Sequence, residues 1–197
     1  MSNRWPGASS ACLVAVLVLT GCSGGDDEPR PTASATSASP TPTEDVQPRG
    51  EEGVTYDVLN WSDRSEDPLV LAYKTAGESL AASANRGKLL PSARARTTKD
   101  FQRTVSKVLR QAWAGRWSLS PEAKVRIEST KVDGSKGAVV ACEWSASTSF
   151  RKPGGEFVVK STGKGWNKMR STYVRSGSTW RLDSLENVGT CPGGAPR

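Results

Sequence analysis

Four cysteines, three tyrosines and no histidine set the chemical repertoire of this 197-residue chain. Without histidine the commonest general base and metal ligand are missing, and with them every Ser-His or Cys-His nucleophile pair. The cysteines stand at positions 12, 22, 142 and 191, none in the Cys-x-x-Cys spacing of a catalytic redox pair. Cys142 and Cys191 alone cannot complete a zinc site, so no metal and no cofactor are expected. The remaining candidates for a ligand site are aromatic. Trp113 and Trp117 are four apart near the end of an expected helix and could form a lip, and Tyr73 and Tyr173 fall on expected inward faces. Core packing is the plainer reading of all four. Asp183 alternates away from Trp180 and Leu182 and should face solvent. No catalytic constellation results, and the chain is not expected to be an enzyme.

The address is easier to read. Residues 1–22 run MSNRWPGASSACLVAVLVLTGC, with Arg4 as a thin positive region and Ala11 to Leu19 as a short apolar core. That is the order of a secretory signal peptide. It is too short for a spanning helix, which needs roughly 20 apolar residues. Leu19-Thr20-Gly21-Cys22 resembles the lipobox of bacterial lipoproteins: an aliphatic residue, two small residues and a cysteine at the end of a signal core. The resemblance implies cleavage before Cys22 and a diacylglyceryl thioether on it, with an acyl chain such as palmitate on the new amino terminus. Two or three chains give durable attachment where one is marginal, at about 0.8 kcal/mol per buried methylene. Cys12 would leave with the leader. The expected location is the extracytoplasmic face of the cell membrane.

Three segments follow: a signal peptide over 1–21, the lipidated cysteine with a linker over 22–50, and a folded domain over 51–197. Between Ser23 and Gly50 there are five prolines, eight Ser/Thr and one larger aliphatic residue, Val46. Such a stretch cannot bury enough apolar surface to offset its ordering entropy. As a flexible coil it reaches about 30 Å. Its net charge is −3, against +9 for residues 51–197. The surplus favours anionic partners, yet the bases look scattered along the sequence, and a solvated basic surface is the blander reading. Nucleic acid is not expected as a partner of an exported, anchored protein.

Within the domain, Asp67-Pro68 reads as an N-cap and first-turn proline, with Leu69, Ala72, Tyr73, Ala76 and Leu80 at helical spacing over about 68–83. Thr97 or Thr98 can cap a second helix, with Phe101, Val105, Val108 and Ala112 as its apolar stripe, ending near Trp113. Beyond Pro121 the period becomes two. Val125 and Ile127 alternate with charges, Asp133-Gly134 offers a turn, and Ala138, Val140, Cys142 and Trp144 alternate again. Glu156 to Ser161 reads as a further short strand. Met169, Ser171 and Tyr173 share a face, and Trp180, Leu182 and Ser184 return beside them. Helices followed by strands make the fold class α+β: two or three N-terminal helices packed on a curved antiparallel sheet of four to five strands.

The element order and the closing Gly177-Ser178-Thr179-Trp180-Arg181-Leu182 resemble the NTF2-like superfamily, over about residues 66–187. The resemblance implies a cone-shaped domain in which a pocket is possible. Members that are enzymes use an Asp or a Tyr-Asp pair inside the cone.

In an oxidising compartment, Cys142 and Cys191 are the two cysteines left to pair. A disulfide between them follows by elimination; two free thiols, one of them buried, are the alternative. The favoured function is a non-catalytic lipoprotein binding a protein partner or a small apolar ligand. An electrostatic adaptor to anionic lipid or wall polymer would need its bases gathered on one face. A histidine-free enzyme would need a carboxylate held above its usual pKa in an apolar cavity.

Overall fold

In the computed structural model the residues described are 46–50, 52–159 and 165–196. The leader, Cys22 and most of the linker lie outside them. Among the described residues no helix is long and apolar enough to cross a membrane.

The fold is α+β, with five strands and four helices: β1 Thr55–Val58, α1 Pro68–Asn85, α2 Pro91–Ala95, α3 Lys99–Ala114, β2 Glu122–Asp133, β3 Lys136–Trp144, α4 Ser145–Thr148, β4 Trp166–Ser176 and β5 Thr179–Cys191. The strands form one sheet in the order β1-β2-β3-β4-β5. Strands β2 to β5 are antiparallel neighbours, but β1 runs parallel to β2, so the sheet is mixed rather than wholly antiparallel. Strand β1 escapes the sequence pattern because it is four residues long and pairs on one side only. Glu156 to Val159 form no strand; Phe157 makes one isolated bridge, to Arg151, and residues 160–161 lie outside the described residues.

The helix starts follow local chemistry. The Asp67 side chain accepts from the Leu69 amide at 2.9 Å ahead of Pro68. Thr98 accepts from the Phe101 amide at 3.2 Å. These caps satisfy amides that have no partner inside the helix. One core cluster joins Leu69, Val70 and Tyr73 of α1 and Phe101 of α3 to Val125, Ile127, Val139 and Leu182 of the strands.

Both edge strands are tied to other parts of the chain. At β1 the outward backbone groups are taken by side chains: the Tyr56 amide donates to Glu78 Oε1 at 3.0 Å, the Tyr56 carbonyl accepts from Lys74 Nζ at 2.9 Å, and the Val58 amide donates to Gln47 Oε1 at 2.8 Å. At β5, Leu182 is bonded through its amide to Arg96 O at 2.8 Å and through its carbonyl to the Thr98 amide at 2.9 Å. Bonds of this kind close β1 to another chain, whereas on β5 they are made at Leu182.

The alternating set Ala138, Val140, Cys142 and Trp144 of β3 is not the one that meets the helices. Val139, Ala141 and Glu143 belong to the face that meets α1, and Ala138, Val140, Cys142 and Trp144 to the other. Both sets are largely apolar, so alternation alone does not choose between them. The second face has its own cover. Cys142 and Cys191 form a disulfide with Cα atoms 6.0 Å apart. The Arg126 guanidinium lies 5.6 Å from the Trp166 ring centroid, and the Trp166 indole donates to Gly194 O at 2.8 Å.

Candidate functional site

A cavity of about 410 Å³ opens between the helices and the strand face that carries Glu143. Helix α1 contributes Tyr73, Gly77 and Leu80, and α3 contributes Phe101, Val105 and Val108. Opposite them stand Glu143, Met169, Ser171 and Tyr173, with Phe150 from the segment after α4 and Tyr56 from β1. The mouth has exposed apolar rims in Val108 and Leu185. The volume falls within the range for small-molecule pockets, roughly 300–1,000 Å³.

Among the described residues Glu143 is the one charged side chain on this lining, and it is 8% exposed. The Tyr73 hydroxyl donates to Glu143 Oε1 at 2.5 Å, and this bond and the neighbouring Thr148 favour the charged form. Burial nevertheless holds the Glu143 carboxyl above its ordinary value, outweighing both. Burial also pushes the Tyr73 hydroxyl well up, and the Glu143 charge adds to the effect. For Tyr56 the same two causes act in the same order, with Glu78 third. Tyr173 is raised by burial, against a hydrogen bond with Ser171. The result is a tyrosine-lined apolar chamber holding a single carboxylate that can accept hydrogen bonds or exchange a proton.

Behind the wall lies a second buried charge. Lys74 and Glu78, one turn apart on α1, form an ion pair with side chains 0% and 3% exposed. Both also bind the β1 backbone at Tyr56. This pair fixes the strand that presents the Tyr56 ring, which meets Tyr73 edge-on at 6.1 Å.

Of the residues picked from sequence, Tyr73 and Tyr173 line the cavity; Trp113 and Trp117 do not. The Trp113 indole donates to Ser83 O at 3.2 Å, tying α3 to α1. Helix α3 ends at Gly115, so Trp117 is no longer one turn from Trp113; it packs against Phe150 with ring centroids 6.0 Å apart. Asp183 is exposed and accepts from Thr98 Oγ1 at 2.8 Å. Cys142 and Cys191 sit on the opposite face of the sheet from the cavity. The alternation of Ala138, Val140, Cys142 and Trp144 passes over Glu143. The signal was there: a lone acid continuing the Val139, Ala141 series.

The surface of α3 also bears on function. Lys99, Arg103, Lys107 and Arg110 are all exposed and, at 100° per residue, share an arc of roughly 80°. Among the described residues the acid paired with this row is Asp100, bound to Arg103 at 2.5 Å. Bases that look scattered in sequence are therefore gathered along one helix face.

No protein-family model matches the chain. No curated protein matches it. Among solved structures it is similar to the solution structure of a SEC-C motif containing protein from Rhodopseudomonas palustris, at 18% identity over 65% of this chain and 91% of that one, with a TM-score of 0.33. That likeness is too slight to bear on fold or function.

Proposed function

We propose that this chain is an extracytoplasmic lipoprotein, anchored through Cys22, whose domain binds a small, mainly apolar ligand in the Glu143 cavity. The observation that carries the reading is the cavity itself: about 410 Å³, walled by aromatic and aliphatic side chains around one buried carboxylate. Preformed apolar clefts with few, well-placed polar groups are what small-molecule sites look like. The NTF2-like cone belongs to the same proposal. In it, α1 and α3 close over a curved sheet, and the cavity is the inside of the cone. Its support is that these two helices and β3 to β5 contribute opposite walls.

The test is displacement of a neutral solvatochromic dye from the full chain, with Val105→Trp as a filling variant. Dye binding that is lost on filling, with the fold retained, supports the site; dye binding that survives filling removes it. A raised carboxylate in an apolar cavity is also what acid–base chemistry uses. Displacing compounds are therefore recovered and checked for conversion, and turnover would replace the binder with an enzyme. For the anchor, Cys22→Ala should release the chain to the medium or leave it uncleaved. Normal processing with unchanged detergent-phase partitioning would remove the lipid.

A second reading rests on a different observation, the basic row on α3. Four cations on one exposed face can hold the domain against anionic headgroups, an attraction that salt screens over about 8 Å at physiological strength. Sedimentation with phosphatidylglycerol vesicles, but not phosphatidylcholine vesicles, that is lost in Arg103→Glu/Lys107→Glu would support it. Equal sedimentation of the variant would end it.

A further inference from the structure

We infer that the ligand of this cavity is a protonated amine on a compact apolar body, with its N–H groups donating to Glu143. The inference rests on the cavity reading above and adds the ligand's charge. Among the described residues, Glu143 is the one ionisable carboxyl on the lining and no lysine or arginine stands with it, although the domain around it carries a net charge of +9. An ionised carboxylate has about four acceptor sites. The Tyr73 hydroxyl takes one of them, so acceptor capacity remains for an incoming donor.

The rest of the lining suits a cation with a greasy body. Tyr56, Tyr73, Phe101, Phe150 and Tyr173 bring five aromatic rings to one chamber. Ring faces attract cations, more strongly where water is excluded. Leu80, Val105 and Met169 take up the apolar remainder. An anionic ligand would meet Glu143 with no compensating cation on the lining, and burying like charges together is costly. A neutral alcohol of the same shape would gain the burial and one hydrogen bond, without the ion pair. The order expected is therefore amine, then alcohol, then carboxylate.

Three isosteric probes separate these terms: 1-aminoadamantane, 1-adamantanol and adamantane-1-carboxylate, titrated calorimetrically into the full chain at neutral pH. The amine should bind at least about tenfold more tightly than the alcohol, and the carboxylate should not bind measurably. In Glu143→Gln the amine should fall to the level of the alcohol, while the alcohol, which keeps an amide oxygen as acceptor, still binds within about tenfold of wild type. That second measurement also shows that the variant keeps its cavity. If amine and alcohol bind equally to wild type, or Glu143→Gln keeps the amine preference, the ligand's charge is wrong while the cavity reading stands. If none of the three binds, both are wrong.

Discussion

The Tyr73 hydroxyl reaches Glu143 at 2.5 Å across 70 residues of sequence, joining α1 to β3 inside the cavity. A hydrogen bond to a charged group contributes roughly 1.5–3 kcal/mol, so Tyr73→Phe should cost about that much in urea unfolding at neutral pH. It should also raise the Glu143 carboxyl further, since Thr148 alone then opposes burial. Carbon-detected NMR of the Glu143 carboxyl in both proteins checks the second half.

The same carboxyl gives stability a pH signature. Its folded pKa lies above the unfolded value of 4.5, so as pH rises past 4.5 the unfolded chain releases this proton before the folded one does. The folded state then binds more protons, and stability falls with pH from 4.5 up to the raised value, and no further. Glu143→Gln removes this contribution and leaves the other groups in place. Unfolding free energies of wild type and variant, measured from roughly pH 4 to 8, should therefore diverge in the variant's favour across that window. Parallel curves would mean that Glu143 is not held above its ordinary value.

Lys74 and Glu78 are fully buried partners, and each also holds the β1 backbone at Tyr56. Removing one leaves the other as an uncompensated buried charge or an open backbone bond, so Lys74→Met or Glu78→Leu should each cost roughly 3–5 kcal/mol. The double variant Lys74→Met/Glu78→Leu should cost less than the sum of its singles by roughly 0.5–3 kcal/mol. Denaturant unfolding gives the cycle, and hydrogen exchange at the Tyr56 amide should quicken in every variant that loses Glu78.

This pair also shows where the sequence stops being legible. Caps, turns and long strands were readable because each rests on a local signal: Asp67 before Pro68, Thr98 before Lys99, Asp133-Gly134 between β2 and β3. Lys74 and Glu78 look like an ordinary solvent-facing pair one turn apart, yet they are buried and bonded to the backbone of β1. Strand β1 is itself unreadable for the same reason, being four residues held by a parallel neighbour and by side chains from elsewhere. The basic row on α3 was legible in principle, at positions 99, 103, 107 and 110. It disappears when charge is counted along the chain rather than around the helix.

The Cys142–Cys191 bridge spans 49 positions, and closing such a loop is worth about 4 kcal/mol in the chain-entropy model. Cys142→Ala/Cys191→Ala should lose about that much in urea unfolding, with a larger m value because the unfolded chain is no longer looped. Trp166 reports the local effect, since its indole holds Gly194 O just beyond Cys191. Its near-ultraviolet signal should weaken as the tail loosens.

Gly77 sits on α1 directly against the Tyr56 ring, where a Cβ would come within 2.7 Å of Tyr56 Cζ. In an open helix, Gly→Ala gains about 1 kcal/mol. Here the ring must move, and it cannot do so by shifting its strand, because the Tyr56 amide and carbonyl are held by Glu78 and Lys74 of the same helix. The ring must turn toward the cavity that Tyr56 and Tyr73 line. Overpacking of this kind costs roughly 1–3 kcal/mol, so Gly77→Ala should be neutral to destabilising by about 2 kcal/mol. It should also weaken ligand binding by filling part of the chamber. Thermal unfolding and dye displacement on the one variant check both effects. A gain of about 1 kcal/mol with undiminished dye binding would show that the Tyr56 ring is free to swing away, and that β1 is not a fixed wall of the site.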